Sequence, residues 1–352
     1  MPDEVPADTS PDLADSGRNV DVRPEETTPD VPDDAPRPVD TLPDTPTDTT
    51  LDVLTDVTSD VTPEVTLDVT PDVTPDATPD APVADTTEDT TGCTPVCGAN
   101  EVCWQDQCYP VGAMVEVNGG SFWMGCQNPP DTECEYDELF IPDGQMVTVA
   151  GFRVDRTEVS VALFGECVTA GECDPPGTSP AACNWNKGRE DHPVNCVPWS
   201  QADKYCAFAG KQLCTEAQWE KAARGPDKRV FPWGDEPADC DHAVMHDAAG
   251  DGCGAGLTAP VGSLQPAGAS PCGALDMAGN VREWTADWYD DDWYESMDLS
   301  NPSGPENGTD KVVRGGSYID PAEELRTSNR DYRKPDETFQ HETVGFRCCK
   351  PL

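Results

Sequence analysis

All seventeen cysteines and all nine tryptophans of the chain lie between Cys93 and Cys349. That segregation decides what can fold. Residues 1–92 hold no Cys, Trp or Tyr and are dominated by Asp, Thr and Pro, so they cannot bury a core and read as a disordered acidic linker. The remainder is long enough for one sizeable domain. Its cysteines lack the paired spacing of zinc ligands and read instead as a disulfide framework, which implies an oxidising compartment.

Within the linker an acid recurs every fourth residue, at Asp52, Asp56, Asp60, Glu64, Asp68, Asp72, Asp76 and Asp80, mostly followed by Val-Thr or Ala-Thr. Recurrent Pro blocks a helix and like charges repel, so the chain extends. About 30 residues at the ~3.1 Å rise of polyproline II reach ~90 Å. The expectation is a stalk, or a passive spacer, whose Thr residues beside Pro can carry O-glycans. Residues 1–90 hold 25 acids against three bases in a chain of net charge −46. Such a balance excludes nucleic acid and anionic membrane as partners and favours divalent cations. The first residues show neither the basic nor the apolar region of a signal peptide, and no apolar run is long enough to span a membrane. Because the cysteines imply export, the expected location is extracellular or cell-surface. The signal is then expected upstream of the given start, with a lipid anchor as one form it can take.

Cys93, Cys97, Cys103 and Cys108 fall within sixteen residues, too few to fold without covalent staples, and four cysteines allow three pairings. Residues 93–109 resemble a minimal EGF-like module, leaving 110–352 for the domain. Met114–Gly125 alternates apolar and polar residues around Gly119-Gly120 and predicts a hairpin turning there. Val147–Asp155 predicts another strand. Ser160 is placed to cap a helix that stops at Gly171, and Ser200 one that runs to Ala209 before Gly210. Thr215 and Gln218 form a capping box for a helix ending at Gly225. From 225 to 275 the chain is Gly, Pro, Asp and Cys, too long for an ordinary loop unless ions and disulfides order it. Lys311–Tyr318 and Val344–Cys349 predict two short strands. The class is α+β, with few helices, short strands and much ordered coil.

One stretch concentrates chemistry. Gly273–Trp288 holds Asp276, Glu283 and Asp287, with Gly279-Asn280 between the first two and Trp284 and Trp288 beside them. Carboxylates flanking irregular backbone can wrap a hard cation, since calcium takes six to eight oxygens including carbonyls. The alternative is an acidic loop whose Trp residues enter the core. His242 and His246 share a one-turn spacing without further ligands nearby, which reads as surface or core histidine rather than a transition-metal site.

Eight motifs stand in one order: Gly119-Gly120-Ser121-Phe122-Trp123-Met124-Gly125, Asp155-Arg156-Thr157-Glu158-Val159, Val197-Pro198-Trp199-Ser200, Leu213–Gly225, Phe231-Pro232-Trp233-Gly234, Asp276–Trp284, Arg314-Gly315-Gly316-Ser317 and Gly345-Phe346-Arg347-Cys348. Together they resemble the formylglycine-generating enzyme (sulfatase-modifying factor) family across residues 112–350. The resemblance implies an irregular, calcium-stabilised variant of the C-type lectin fold. It implies one calcium on the side chains of Asp276 and Glu283 with the carbonyls of Gly279 and Val281. A second would sit on Asp251 and the Cys253 carbonyl, with Asp241 and the His242 carbonyl. It also implies a Cys206–Cys348 bridge. Cys214, where the family has Pro, is then expected to pair with Cys349. Residues 110–352 hold thirteen cysteines, so at least one stays unpaired if pairing is internal.

The departure lies at the chemistry. Active members carry two cysteines shortly after Arg-Gly-Gly-Ser that bind copper(I) and oxidise a substrate cysteine in a Cys-x-Pro-x-Arg motif to formylglycine. Copper(I) needs soft thiolates. Here those positions are Asp320 and Leu325; Ser317 is retained, and Arg282 stands where Trp is expected. No catalytic residue is therefore assigned, and copper is not expected. The favoured reading is a non-catalytic or repurposed module binding a peptide, protein or glycan in the old cleft. The alternative is an oxidoreductase of the formylglycine-generating or sulfur-oxidising type, acting on a Cys or thiol through a non-standard metal centre. Related iron-dependent branches use a His set from an additional domain that this chain lacks.

Overall fold

The computed structural model describes residues 97–98, 101–126, 129–134, 145–336 and 341–352; the linker repeat and Cys93 lie outside them. Strands β1 (Glu101–Trp104) and β2 (Gln107–Pro110) form a hairpin, with Gln105 and Asp106 at positive φ in its turn. Cys97 and Cys108 are bridged, and Cys103 is also disulfide-bonded. This small module docks on the domain. The Arg156 guanidinium sits 4.1 Å from the Tyr109 ring centroid, as a cation over a π-face, and donates to the Gly273 carbonyl at 3.0 Å.

Gly119-Gly120 is not a hairpin turn. Strand β3 (Met114–Val117) pairs with β6 (Phe152–Asp155), and β4 (Gly120–Met124) pairs with β5 (Gln145–Val149). Residues 114–124 thus run alongside 145–155 as one long ribbon, bent where the two glycine-bearing segments cross. A Cβ on Gly119 would lie 2.8 Å from the Gly151 nitrogen, so the glycine serves a close backbone approach rather than a reversal.

Helix α1 (Val161–Ala170) is capped by the Ser160 side chain and closed by left-handed Gly171. Helix α2 spans Trp199–Phe208, so Ser200 lies inside its first turn rather than at its cap. Extended Pro198 sets the start, and the Trp199 indole N–H anchors it by donating to the Thr285 carbonyl at 2.7 Å. After β7 (Gln212–Leu213), α3 (Glu216–Arg224) carries the full capping box of Thr215 and Gln218. No regular helix or strand is described between α3 and β8 (Arg282–Trp288). Strands β9 (Lys311–Arg314), β10 (Arg330–Arg333), β11 (Val344–Phe346) and β12 (Cys348–Pro351) complete the chain.

Two four-stranded sheets result, ordered β10-β9-β8-β11 and β3-β6-β12-β7. Strand β11 lies parallel to β8, and the β8–β9 register shifts between Trp284 and Trp288, a bulge. Side chains alternate faces along a strand, so adjacent Cys348 and Cys349 enter different cores. Cys348 joins the cluster around Phe164, Tyr205, Trp284 and Phe346; Cys349 joins that around Phe122, Val147, Phe152 and Trp219. Their bridges, Cys206–Cys348 and Cys214–Cys349, staple α2 and the start of α3 to opposite faces of one strand. Four more, Cys126–Cys134, Cys167–Cys173, Cys183–Cys196 and Cys240–Cys253, close short loops. Cys272 is the free cysteine among the described residues.

Between these bridges runs a buried ionic frame. Arg347 gives Glu283 two hydrogen bonds of 2.7 Å, and donates to the carbonyls of Asp155, Arg156, Leu275 and Asp276. Burial disfavours its charge, the Glu283 carboxylate outweighs that, and the guanidinium stays protonated. Removing one partner of such a pair leaves the other charge uncompensated. Arg347→Met is expected to lower unfolding stability by about 3–5 kcal/mol in denaturant titration. A loss under 1 kcal/mol would mean that the frame is not holding the fold.

A second buried pair sets a pH dependence. Burial, with the Glu216 carboxylate close by, pushes Asp287 up to about 7. Burial lowers Lys311 to about 8, its amino group lying 4.0 Å and 3.9 Å from the ring centroids of Trp199 and Trp288. An aspartate raised on folding contributes stability below about pH 4 that is lost as pH climbs to 7. A lysine lowered on folding lets stability recover above pH 8, where the unfolded chain holds the extra proton. Stability should therefore dip between pH 7 and 8. In Asp287→Asn, whose amide oxygen can still accept the Glu216 N–H held by Asp287 at 2.8 Å, the fall between pH 4 and 7 should shrink. Unchanged Tm-against-pH curves for the two proteins would assign the dip elsewhere.

Candidate functional site

The retained motif residues converge where β8 and β9 meet the segment after Arg314. Gly315 and Gly316 both have positive φ, and a Cβ on Gly316 would lie 2.9 Å from the Glu324 carbonyl. That close approach folds residues 317–325 back on themselves. The Ser317 N–H and hydroxyl donate to Asp320 Oδ2 at 2.7 and 2.6 Å, and a 3-10 turn over Ala322–Leu325 follows.

Arg282, at the head of β8, fills the floor. Its guanidinium pairs with Asp320 at 2.5 Å, Asp331 at 3.0 Å and Glu324 at 3.7 Å, and donates to the Ser317 hydroxyl at 3.4 Å. The residue expected to be aromatic is thus a cation that neutralises the acid standing at a thiol position. Leu325, at the other thiol position, is fully buried against Phe231, Ala243, Met245 and Ala278. Asp320 presents an oxygen already committed to Ser317 and Arg282; Leu325 presents nothing.

Three neighbours were not visible in the sequence. Asp331 lies on β10, and Glu324 in the 3-10 turn. His341 sits on the approach to β11, its Nδ1 2.8 Å from the Thr343 hydroxyl oxygen and its pKa lowered by burial. Their separations from Arg282 follow no helical or strand period, so only the pairing of β8 with β9 and β11, and of β9 with β10, could reveal them. Tyr318 belongs to the same surroundings; burial, then the carboxylates of Glu342 and Asp251, push its hydroxyl up to about 12.

Among the described residues no thiol is in contact with Arg282, so the side chains around it do not offer the thiolate pair that copper(I) needs. Cys348 and Cys349 are bridged. Cys272 lines a different cavity of about 440 Å³ with Glu116, Lys221 and Pro226. Among the described residues the one close group of three potential metal-ligating side chains is Cys126, Asp131 and Cys134, whose sulfurs are joined to each other.

For a hard cation the fit is divided. Asp276, Gly279 and Asn280 all have positive φ, making a tight loop. Asp276 is half-buried, accepts the Gly262 N–H at 2.5 Å, and is raised by desolvation. Glu158 is raised further by burial and by Asp276 beside it. Its Oε1 accepts the Asn280 amide, while its Oε2 is buried with no hydrogen bond. A buried and a half-buried carboxyl group side by side call for a cation or a shared proton between them. Glu283 fits less well, because Arg347 takes both its oxygens and the Trp219 indole donates to one of them. Glu158 therefore stands as the second carboxylate beside Asp276, with Gly279 and Val281 in the same loop.

In the other set, the Cys240–Cys253 bridge brings Asp241-His242 alongside Asp251-Gly252-Cys253. Asp251 Oδ1 accepts from His246 Nδ1 across 2.7 Å, and His242 pairs with Asp239 at 2.6 Å while stacking on Trp233. The two histidines thus serve separate carboxylates.

The sulfatase-modifying factor enzyme 1-like domain matches residues 100–352. A formylglycine-generating enzyme from Thermomonospora curvata is 39% identical over 294 residues, covering 67% of this chain and 92% of its own. A hercynine oxygenase from Mycolicibacterium thermoresistibile is 33% identical over 220 residues, covering 58% of this chain and 46% of its own. Among solved structures, PvdO from Pseudomonas aeruginosa superposes with a TM-score of 0.56 at 27% identity, over 68% of this chain and 94% of that one. With the α+β architecture and the motif order in agreement, this chain belongs to the formylglycine-generating enzyme (sulfatase-modifying factor) family.

Proposed function

We propose that the chain is an exported, stalk-borne member of the family that uses the old substrate cleft to bind rather than to oxidise. The observation that carries this reading is the ion pair between Arg282 and Asp320. It ties down one former thiol position, while Leu325 buries the other in apolar core. Copper chemistry needs two accessible soft ligands, and neither side chain supplies one. What remains is a polar patch of half-buried Glu324, Asp331 and Glu342 over buried Ser317 and Arg282. Asp320, Glu324, Asp331 and Glu342 face two guanidiniums, Arg282 and the Arg333 paired with Asp331, so carboxylates are in excess and the ligand class is a peptide or glycan that presents a positively charged group. Export accords with the many disulfides, and no helix among the described residues is long and apolar enough to cross a membrane.

The hercynine oxygenase similarity favours a second reading, an oxidase with another metal centre. One assay separates the two. Oxygen uptake is measured with a Cys-x-Pro-x-Arg peptide, in the presence of copper(I) and, separately, iron(II). Uptake is expected to match the protein-free blank, and the same protein is expected to show no tight one-to-one copper(I) titration. Peptide-dependent turnover would replace the binding reading with an enzymatic one.

We further propose calcium as a structural ion on the Asp276 loop, with Glu158 beside it and the Asp251 loop as the second position. Ion occupancy at a hundred times Kd adds about 2.7 kcal/mol, which for a domain of this size corresponds to about 5–10 °C in Tm. Excess EDTA should produce a fall of that order, and Asp276→Asn should bring the calcium-loaded protein most of the way to the EDTA value. A Tm indifferent to EDTA would remove calcium from both loops.

A further inference from the structure

Away from the Arg282 cleft, the segment carrying Asp131 meets the end of the 3-10 turn around a disulfide. Cys126, 1% exposed, and half-buried Cys134 are bridged. The Arg326 guanidinium lies 4.0 Å from the Cys126 sulfur and is itself only 2% exposed. It is held in place by Asp131, whose Oδ2 accepts from Arg326 at 2.9 Å and from the Ser328 hydroxyl at 3.1 Å. An Asp131 oxygen and both sulfurs all fall within 4.8 Å of one another. A cavity of about 610 Å³ lies on the far side of Asp131 and Arg326, lined by those two with Thr132, Glu133 and Glu323 and by neither sulfur.

We propose that Cys126–Cys134 is a thiol-exchanging disulfide, with Cys134 as the sulfur attacked and Cys126 as the leaving thiolate held by Arg326. The two ends of the bridge differ in the way this step needs. Exchange requires an approachable sulfur on one side and a stabilised thiolate on the other. Cys134 supplies the access, and the Arg326 guanidinium, shared between Asp131 and Cys126, supplies a donor that can turn to the departing thiolate. The bridges Cys206–Cys348 and Cys214–Cys349 have all four cysteines buried and offer no sulfur to attack. Cys240–Cys253 is half-buried at both ends, but no guanidinium is hydrogen-bonded to it.

The substrate class is a thiol small enough to reach half-buried Cys134. In the first step the substrate thiolate bonds to the Cys134 sulfur, the Cys126–Cys134 bond breaks, and its electron pair leaves on Cys126. In the second step another substrate thiolate attacks the substrate sulfur of that mixed disulfide, and Cys134 leaves as thiolate. The sum oxidises two thiols to one disulfide and reduces the protein bridge to two thiols. The two protons pass from substrate to Cys126 and Cys134, with the Asp131 carboxylate near enough to relay them. Run backwards with a disulfide, the same steps restore the bridge. The proposal is independent of what binds at Arg282.

The full chain is exposed to graded reduced glutathione, quenched with an alkylating agent, and mapped by peptide mass spectrometry, with Cys272 labelling throughout as an internal standard. Cys126 and Cys134 should become alkylated at a tenth or less of the glutathione needed for Cys206 and Cys348, and before Cys240 and Cys253. In Cys126→Ser, glutathione disulfide should leave its glutathione on Cys134. Arg326→Gln should slow opening of the bridge about tenfold, and Arg326→Lys should restore most of the rate. Should Arg326→Gln fail to fold, the order of reduction and the Cys126→Ser adduct still decide. Opening in step with Cys240–Cys253 or later, or a Cys126→Ser protein carrying glutathione on Cys272 alone, would overturn the assignment.

Discussion

The structure turns on one buried guanidinium. Arg347 is out of contact with water, so its charge is tolerable only because acceptors surround it: the two oxygens of Glu283 and four main-chain carbonyls. Those carbonyls come from the end of β6 and from the loop entering the Asp276 turn. Three stretches remote in sequence are therefore held at one point by a side chain that cannot lose its proton there. The strand that follows enters with its two cysteines committed to opposite cores. A domain with this much coil lacks the ladders that usually fix such positions, and the ionic centre and the two adjacent bridges take their place.

A frame of that kind fixes the cleft segment without calling on the side chains at 320 and 325. The shape of the 315–325 segment is set by main-chain demands: positive φ at Gly315 and Gly316, the close approach of Gly316 to the Glu324 carbonyl, and the turn closed by Ser317. None of these needs a thiol. Replacing two sulfurs with a carboxylate and an isobutyl group then poses only local problems. The leucine solves its own by joining the apolar cluster with Phe231. The carboxylate needs a counter-charge, and Arg282 supplies it from β8. The exchange of an aromatic residue for arginine and of a thiol for aspartate are thus two halves of one electrostatic change.

What could be read from the sequence divides along the same line. Local signals were legible: the Thr215–Gln218 box, the Ser160 cap and the Gly171 stop each depend on residues within one turn of each other. The eight ordered motifs carried the architecture, and with it the Cys206–Cys348 and Cys214–Cys349 pairings. Gly119-Gly120 misled because a glycine pair signals either a turn or a close crossing, and only the partner strand distinguishes them. Ser200 misled because a tryptophan anchored to Thr285 outranks a capping hydroxyl. Asp331, Glu324 and His341 were invisible for a different reason. Their meeting with Arg282 depends on which strands neighbour β8, a tertiary fact with no period in the chain.

The long coil between α3 and β8 shows most directly how site and scaffold are joined. The His246 N–H donates to the Asp320 carbonyl at 2.9 Å, and the Gly252 N–H to the Tyr318 carbonyl at 2.6 Å. From the other side, the Gly279 N–H donates to the Gly315 carbonyl and the Tyr318 N–H to the Asn280 carbonyl. Main-chain groups buried without partners are costly, so these four bonds are as obligatory as those of a sheet. They link the Asp251 loop, the Asp276 loop and the altered segment into one hydrogen-bonded unit. Any ion or ligand that tightens one of these loops must act on the position of Asp320, and hence on its pairing with Arg282. The carboxylates that were first legible as a possible cation site are in this sense part of the cleft, not a remote prop for it.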